Sequence, residues 1–116
     1  MNSRADDEVA CVIATKCIHL VRLRLAMCLL TDEGLRTIIL NSSKLKDLDL
    51  ECNIIQGKCL HLLPLYLPDL VCLNLHLCYN VLVNLNEIVH SLPTLKVIDP
   101  SGTVIKGRLV DSPANH

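Results

Sequence analysis

With 116 residues, 51% of them apolar, and a formal net charge of −1, the chain suits a single core-forming domain and not a disordered segment. A pI near 6.5 with no basic cluster argues against nucleic acid and anionic membranes as partners, and no apolar run approaches the roughly 18 residues of a membrane span. There is no Trp or Phe, and the aromatic residues are Tyr66 and Tyr79, so the core must be built from layered aliphatic side chains.

The opening residues, Met1 to Glu8, lack the apolar stretch of a signal peptide. Seven cysteines, an odd number without a framework of fixed spacings, fit reduced thiols in a cytoplasmic or nuclear protein.

One short pattern organises the chain. It reads Leu20-Val-Arg-Leu23-Arg-Leu25, Leu45-Lys-Asp-Leu48-Asp-Leu50, Leu70-Val-Cys-Leu73-Asn-Leu75 and, less completely, Leu95-Lys-Val-Ile98-Asp-Pro100, with 25 residues between successive leading leucines. A fixed period of this length marks a solenoid, in which each unit buries its apolar face only against its neighbours.

In chain order, residues 1–5 read as a disordered start and 6–107 as the repeat domain. Asp6 to Cys17 carries no leucine pattern, but Ala10, Ile13, Ala14 and Cys17 stand one period before Leu35, Ile38, Ile39 and Ser42. The 6–19 stretch is therefore the helical half of a unit whose strand is missing, and the sheet should begin at an uncovered edge near 21–26, open to strand pairing. Units then start at 20, 45, 70 and 95. Period-two alternation within each leucine pattern predicts strands near 22–26, 47–51, 72–76 and 97–99, each followed by helical spacing.

Thr31-Asp32-Glu33 and Asn84-Leu85-Asn86-Glu87 offer N-caps and acidic first turns. In the middle unit a short helix near 57–63 should end or kink at Pro64. Residues 97–107 read as strand, turn and returning strand, a hairpin-like cap, and 108–116 as a tail.

The fuller first unit, Cys17-x-x-Leu20-x-x-Leu23-x-Leu25-x-x-Cys28-x-x-Thr31-Asp32-x-Gly34-Leu35, resembles the cysteine-containing leucine-rich repeat typical of F-box leucine-rich-repeat proteins. The resemblance covers roughly residues 6 to 100. It implies an α/β leucine-rich-repeat solenoid, a short horseshoe arc with parallel strands on the concave face and helices on the convex face. It also implies a non-enzymatic role in protein–protein interaction, the recognition of substrates for cullin-based ubiquitin ligation. The stretch before Leu20 is too short for an F-box helical module, so that role would apply to a repeat region alone. The alternative is a free-standing intracellular repeat scaffold unrelated to ubiquitin.

Cys28, Asn53 and Cys78 share one register position where each strand turns, which suits side chains that donate to buried backbone carbonyls. Zinc is not expected, because no Cys-x2-Cys pair exists. No catalytic motif, phosphate-binding loop or other cofactor signal stands out. A rival reading from another class is a redox or metal sensor built on Cys52, Cys59, Cys72 and Cys78.

Residues between the ladder leucines should face away from the core. The candidate protein-binding face is Arg22, Arg24, Asp47, Asp49, Glu51, Asn74 and His76, with Ala26, Cys72, Val97 and Asp99 also on it. At about 4.8 Å between strands, Arg22 should sit beside Asp47 and Arg24 beside Asp49, either as cross-strand charge pairs or as parts of a docking strip that is acidic in its middle. A basic or amide-rich segment is the natural ligand.

Overall fold

A computed structural model describes residues 3–107, with side chains from residue 7 onward; the 108–116 tail lies outside the described residues. In chain order the elements are α1 (Ser3–Lys16), β1 (Arg22–Arg24), α2 (Asp32–Asn41), β2 (Asp47–Asp49), a 3-10 turn (Leu60–Leu62) running into α3 (Leu63–Tyr66), β3 (Cys72–Asn74), α4 (Leu85–Ser91), β4 (Lys96–Ile98) and β5 (Val104–Lys106). The protein is thus mixed α/β, with a five-stranded open sheet ordered β1-β2-β3-β4-β5, parallel except for the antiparallel β5. α1 begins at Ser3, inside the expected disordered start.

Strands of three residues have no stability of their own. They persist because Leu23, Leu48 and Leu73 stack in register, as the pairings Leu23↔Leu48 and Leu48↔Leu73 show. Leu45, Leu48, Leu50, Leu70, Leu73 and Leu75 are fully buried, together with Leu35, Ile38 and Ile39 of α2. Each such side chain contributes about 1.5–3 kcal/mol. Ala10 and Ala14 are also buried, and their small size lets α1 lie against α2 as the one-period offset predicted.

Backbone groups at the strand-to-helix turns are satisfied by a polar ladder. Asn53, 4% exposed, accepts from the amides of Cys28 (3.1 Å) and Leu30 (2.7 Å) and donates to the carbonyls of Leu25 (2.7 Å) and Leu50 (3.0 Å). Cys78 Sγ donates to Leu50 O at 3.0 Å, and Cys28 Sγ donates locally to Ala26 O at 3.3 Å. Two aspartates one period apart then tie each helix start to the next unit. Asp7 accepts from Thr31 N at 3.0 Å and from the Thr31 hydroxyl; Asp32 accepts from Gln56 N (2.9 Å) and Gly57 N (3.0 Å).

Several expectations change. Thr31 holds the N-cap position but makes no side-chain capping bond; its hydroxyl is turned toward Asp7, to which it donates. Asn84 does cap, accepting from Asn86 N at 3.0 Å. Pro64 does not end the helix. It lies in the first turn of α3, where its missing N–H would have had no partner within the helix, and the chain stays helical to Tyr66.

The largest correction concerns the last unit. Pairing there shifts by one residue, with Cys72↔Lys96, Leu73↔Val97 and Asn74↔Ile98. Val97, expected on the open face, is fully buried in the core, and Lys96 and Ile98 take the open face. β5 supplies the reason. Residues opposite one another in an antiparallel pair share a face, and Val97 stands opposite Ile105, which packs against the core. That leaves Ile98↔Val104 and Lys96↔Lys106 on the other side.

The period resumes at Asp99. Its Oδ1 accepts from Ser101 N at 3.0 Å, the contact that Asp49 makes with Glu51 N (3.0 Å) and Asn74 with His76 N (2.9 Å). Among the described residues no helix is long and apolar enough to cross a membrane.

Candidate functional site

The face of the sheet away from the helices presents one short charge sequence. Arg22 and Arg24 lie exposed on β1, Asp47, Asp49 and Glu51 half-buried on and beyond β2, Cys72, Asn74 and His76 half-buried on and beyond β3, and Lys96 exposed on β4. All seven candidate residues read from the sequence stand on this face. The period-two alternation puts them there, since every second residue of each strand is committed to the leucine core.

The predicted neighbours are in register, Arg22 with Asp47 and Arg24 with Asp49. They do not form close ion pairs: among the described residues the ion-pair contact within 4.0 Å is His76 Nδ1 to Glu51 Oε2, at 3.6 Å. Exposed arginines gain little by ordering a long side chain against a hydrated carboxylate, so both charges stay available to a ligand. Asp49 and Asn74 are better held. Asp49 accepts the Glu51 amide at 3.0 Å and Asn74 the His76 amide at 2.9 Å, which pins both side chains at the ends of their strands.

The C-terminal hairpin completes the site; the sequence reading placed Asp99 on this face but not the turn at Ser101 and Gly102. Gly102 (φ 94°) turns directly over the His76 ring, so that a Cβ there would lie 3.3 Å from Nε2. Asp99 organises that turn. The Ser101 hydroxyl donates to Asp99 Oδ1 at 2.7 Å, and the Thr103 amide donates to the same oxygen at 2.8 Å. The Ser101 hydrogen bond and the turn amides hold the Asp99 carboxyl below the usual carboxylate range. Sequence reasoning also missed Lys96 and Ile98, whose side depends on the β5 pairing.

Cys59, Cys72 and Cys78 have the character of structural thiols. Burial pushes Cys59 up to about 11, with the nearby Asp32 carboxylate adding to the rise. Burial is also the first cause of the raised values of Cys72, where Asp47 contributes next, and of Cys78. The thiolate is the reactive species, so these groups resist alkylation near neutral pH. Among the described residues no three His, Cys, Asp or Glu side chains gather as a metal would require.

Two expected results follow. In the native protein at neutral pH, iodoacetamide labels the exposed Cys11, Cys17 and Cys52, while Cys59 and Cys78 label only after unfolding; peptide mapping reads the order, and equal rates at all five sites would contradict the burial. The folded Cys59 thiol also keeps its proton above the ordinary value of 9.0 at which the unfolded chain releases it. Stability is therefore lost as pH rises from about 9 toward 11, and a Cys59→Ala variant should show a flatter alkaline limb in urea melts.

The chain matches no protein-family model, no curated protein and no solved structure.

Proposed function

We propose that the chain is a leucine-rich-repeat arc acting as a non-enzymatic protein-binding module of the F-box repeat type, with the strip of Asp47, Asp49, Glu51, Asn74 and His76 as its docking surface. The repeat reading draws on three features at the same spacing: the register of β1, β2 and β3, the Asn53 and Cys78 bonds to the preceding unit, and the Asp7 and Asp32 ties. The binding reading rests on one observation. Three carboxylates line one strand and its extension in the middle of an exposed sheet face, flanked by arginines with which they make no ion pair. Such an arrangement suits a basic or amide-rich segment running across the strands, its charges meeting the acidic strip and its ends avoiding Arg22 and Lys96. A reducing cytoplasmic or nuclear setting agrees with the thiols.

The outer edge of β1 is unpaired among the described residues, and an added strand belongs there. Arg22 and Arg24 favour one with acidic residues at alternate positions and oppose pairing with a second β1, which would set like charges side by side.

Affinity capture of the tagged chain from its native cells, under reducing conditions, tests the docking strip. Recovery of ubiquitin-ligase subunits together with a substrate, with the substrate lost in Asp47→Lys/Asp49→Lys, supports the F-box-type reading. Recovery of other proteins through the same residues moves the assignment to a free-standing scaffold. That second reading is favoured by the departures of units two and three from the full repeat signature, Asn53 for cysteine and Tyr79-Asn80-Val81 after Cys78. Capture unaffected by the double charge reversal would remove the strip as the docking surface under either reading.

A further inference from the structure

The turns that lead from the strands carry a second surface. Met27, Cys52, Leu77 and Gly102 recur at 25-residue spacing, and all four have left-handed backbone, with φ of 56°, 61°, 66° and 94°. Only the glycine adopts this conformation without a Cβ clash, so three units place a bulky or apolar side chain where glycine or asparagine would be easier.

Two residues further on, Leu29, Ile54 and Tyr79 recur at the same sequence spacing, Leu29 with left-handed backbone of its own (φ 54°). They are 43%, 39% and 73% exposed, beside Met27 at 74% and Leu82 at 80%. Scattered exposed apolar residues need no explanation, but two adjacent apolar rows continued across three units make a patch of the kind that marks an interaction site. The patch adjoins the acidic strip. Glu51 immediately precedes Cys52, and Met27 N donates to Glu51 O at 2.9 Å.

Spacing and charge together define what fits. Met27 N and Cys52 N donate to Glu51 O and His76 O of the next unit at 2.9 and 2.8 Å, which carries the strand spacing of about 4.8 Å into these turns, so Met27, Cys52 and Leu77 span roughly 10 Å and the outer row lies two residues beyond them. Side chains on one face of an α-helix, at i, i+3 or i+4, and i+7, repeat at about 5 and 10 Å along its axis. We propose that this rim docks an amphipathic helix of a partner protein, laid across the strand direction. Its apolar residues rest on Leu29, Ile54 and Tyr79, and its lysine- or arginine-bearing flank turns toward Glu51 and Asp49. The basic flank rests on the reading of the acidic strip as a docking surface; the apolar rows do not.

The test uses the full chain, isotope-labelled for amide NMR, and a synthetic helical peptide with Leu at i, i+4 and i+7 and Lys along one flank. The expected result is that amide shifts cluster at 27–29, 52–54 and 77–79. Ile54→Ser and Tyr79→Ser, both at exposed positions, should each weaken binding by about tenfold or more with an unchanged unfolding midpoint, and replacing the peptide's Lys by Glu should do the same. Shifts confined to 47–49 and 72–74 would overturn the rim proposal and leave the strip standing. Absence of shifts up to about 1 mM peptide overturns it as well. A concentration-dependent dimer abolished by Ile54→Ser would assign the rim to a second copy and overturn the helix. Cellular partners still captured by the Ile54→Ser variant and lost by Asp47→Lys/Asp49→Lys would show that the strip works without the rim.

Discussion

Asn53→Ala is expected to destabilise the protein by about 3–5 kcal/mol, out of a total of about 5–15 for a domain of ordinary stability. The side chain is 4% exposed and satisfies four main-chain groups in two successive units: the amides of Cys28 and Leu30 and the carbonyls of Leu25 and Leu50. Each buried group left unpaired costs about 1–3 kcal/mol, and the total falls short of four full penalties because water can enter near the half-buried Cys28. Cys78 Sγ already bonds one of these carbonyls, Leu50 O, so that group is only partly orphaned. Asn53→Cys separates donation from acceptance. It restores one donor, as Cys78 supplies in the following unit, but no acceptor for the two amides, and it should recover less than half of the loss. Asn53→Asp keeps the acceptors but turns a carboxylate onto two carbonyls, and should be no better than alanine. Urea midpoints at constant slope would measure the series; a midpoint unchanged in Asn53→Ala would contradict the ladder.

The second large effect is expected at the leucines of the central strands. Leu48→Ala and Leu73→Ala should each cost about 2–5 kcal/mol, the lost burial together with a cavity that neighbouring strands cannot close. Both side chains are fully buried, whereas Leu23 of the edge strand is 8% exposed. Because β1 has a strand on one side only, the structure around Leu23 can relax, and Leu23→Ala should cost visibly less than either central change. This gradient is specific to the observed strand order. Equal losses at the three positions would mean that β1 is covered in solution, and no loss at Leu48 or Leu73 would contradict the stacked core.

One buried side-chain polar atom among the described residues has no hydrogen-bond partner, Ser42 Oγ. It stands at the register position that Leu67 and Leu92 fill with apolar side chains, all three buried. The hydroxyl gains nothing from burial there, and nothing in the structure explains why serine occupies that place.

How far the residue order alone determined this protein can be seen element by element. The 25-residue spacing was enough to pair Arg22 with Asp47 and Arg24 with Asp49, to separate the leucine face from the charged face, and to expect a helix ahead of β1 that packs beside α2. These are consequences of local periodicity: a strand alternates every second residue, and an exact repeat carries the same face from one unit to the next. Asp32 was legible as a helix-start residue and Asp7 was not singled out at all; neither revealed that it reaches forward to the next unit, since a bond across 24 residues leaves no local signature. The exposed rows at Met27 and Leu29 were visible only as letters, because nothing in one sequence says which loop side chains a neighbouring turn will cover.

Where local rules conflicted, tertiary structure decided. Counting from Leu95 nominates Ile98 for the core; the antiparallel return of β5 sets Val97 opposite Ile105 and buries Val97 instead. Pro64 suggests a helix end, but the preceding 3-10 turn places it in a first turn where its missing donor has no cost. Thr31 is built to cap α2, but its hydroxyl turns to donate to Asp7, brought up by α1. At Val97 and Thr31 contacts between segments distant in sequence decide between locally acceptable arrangements, and at Pro64 the neighbouring 3-10 turn does.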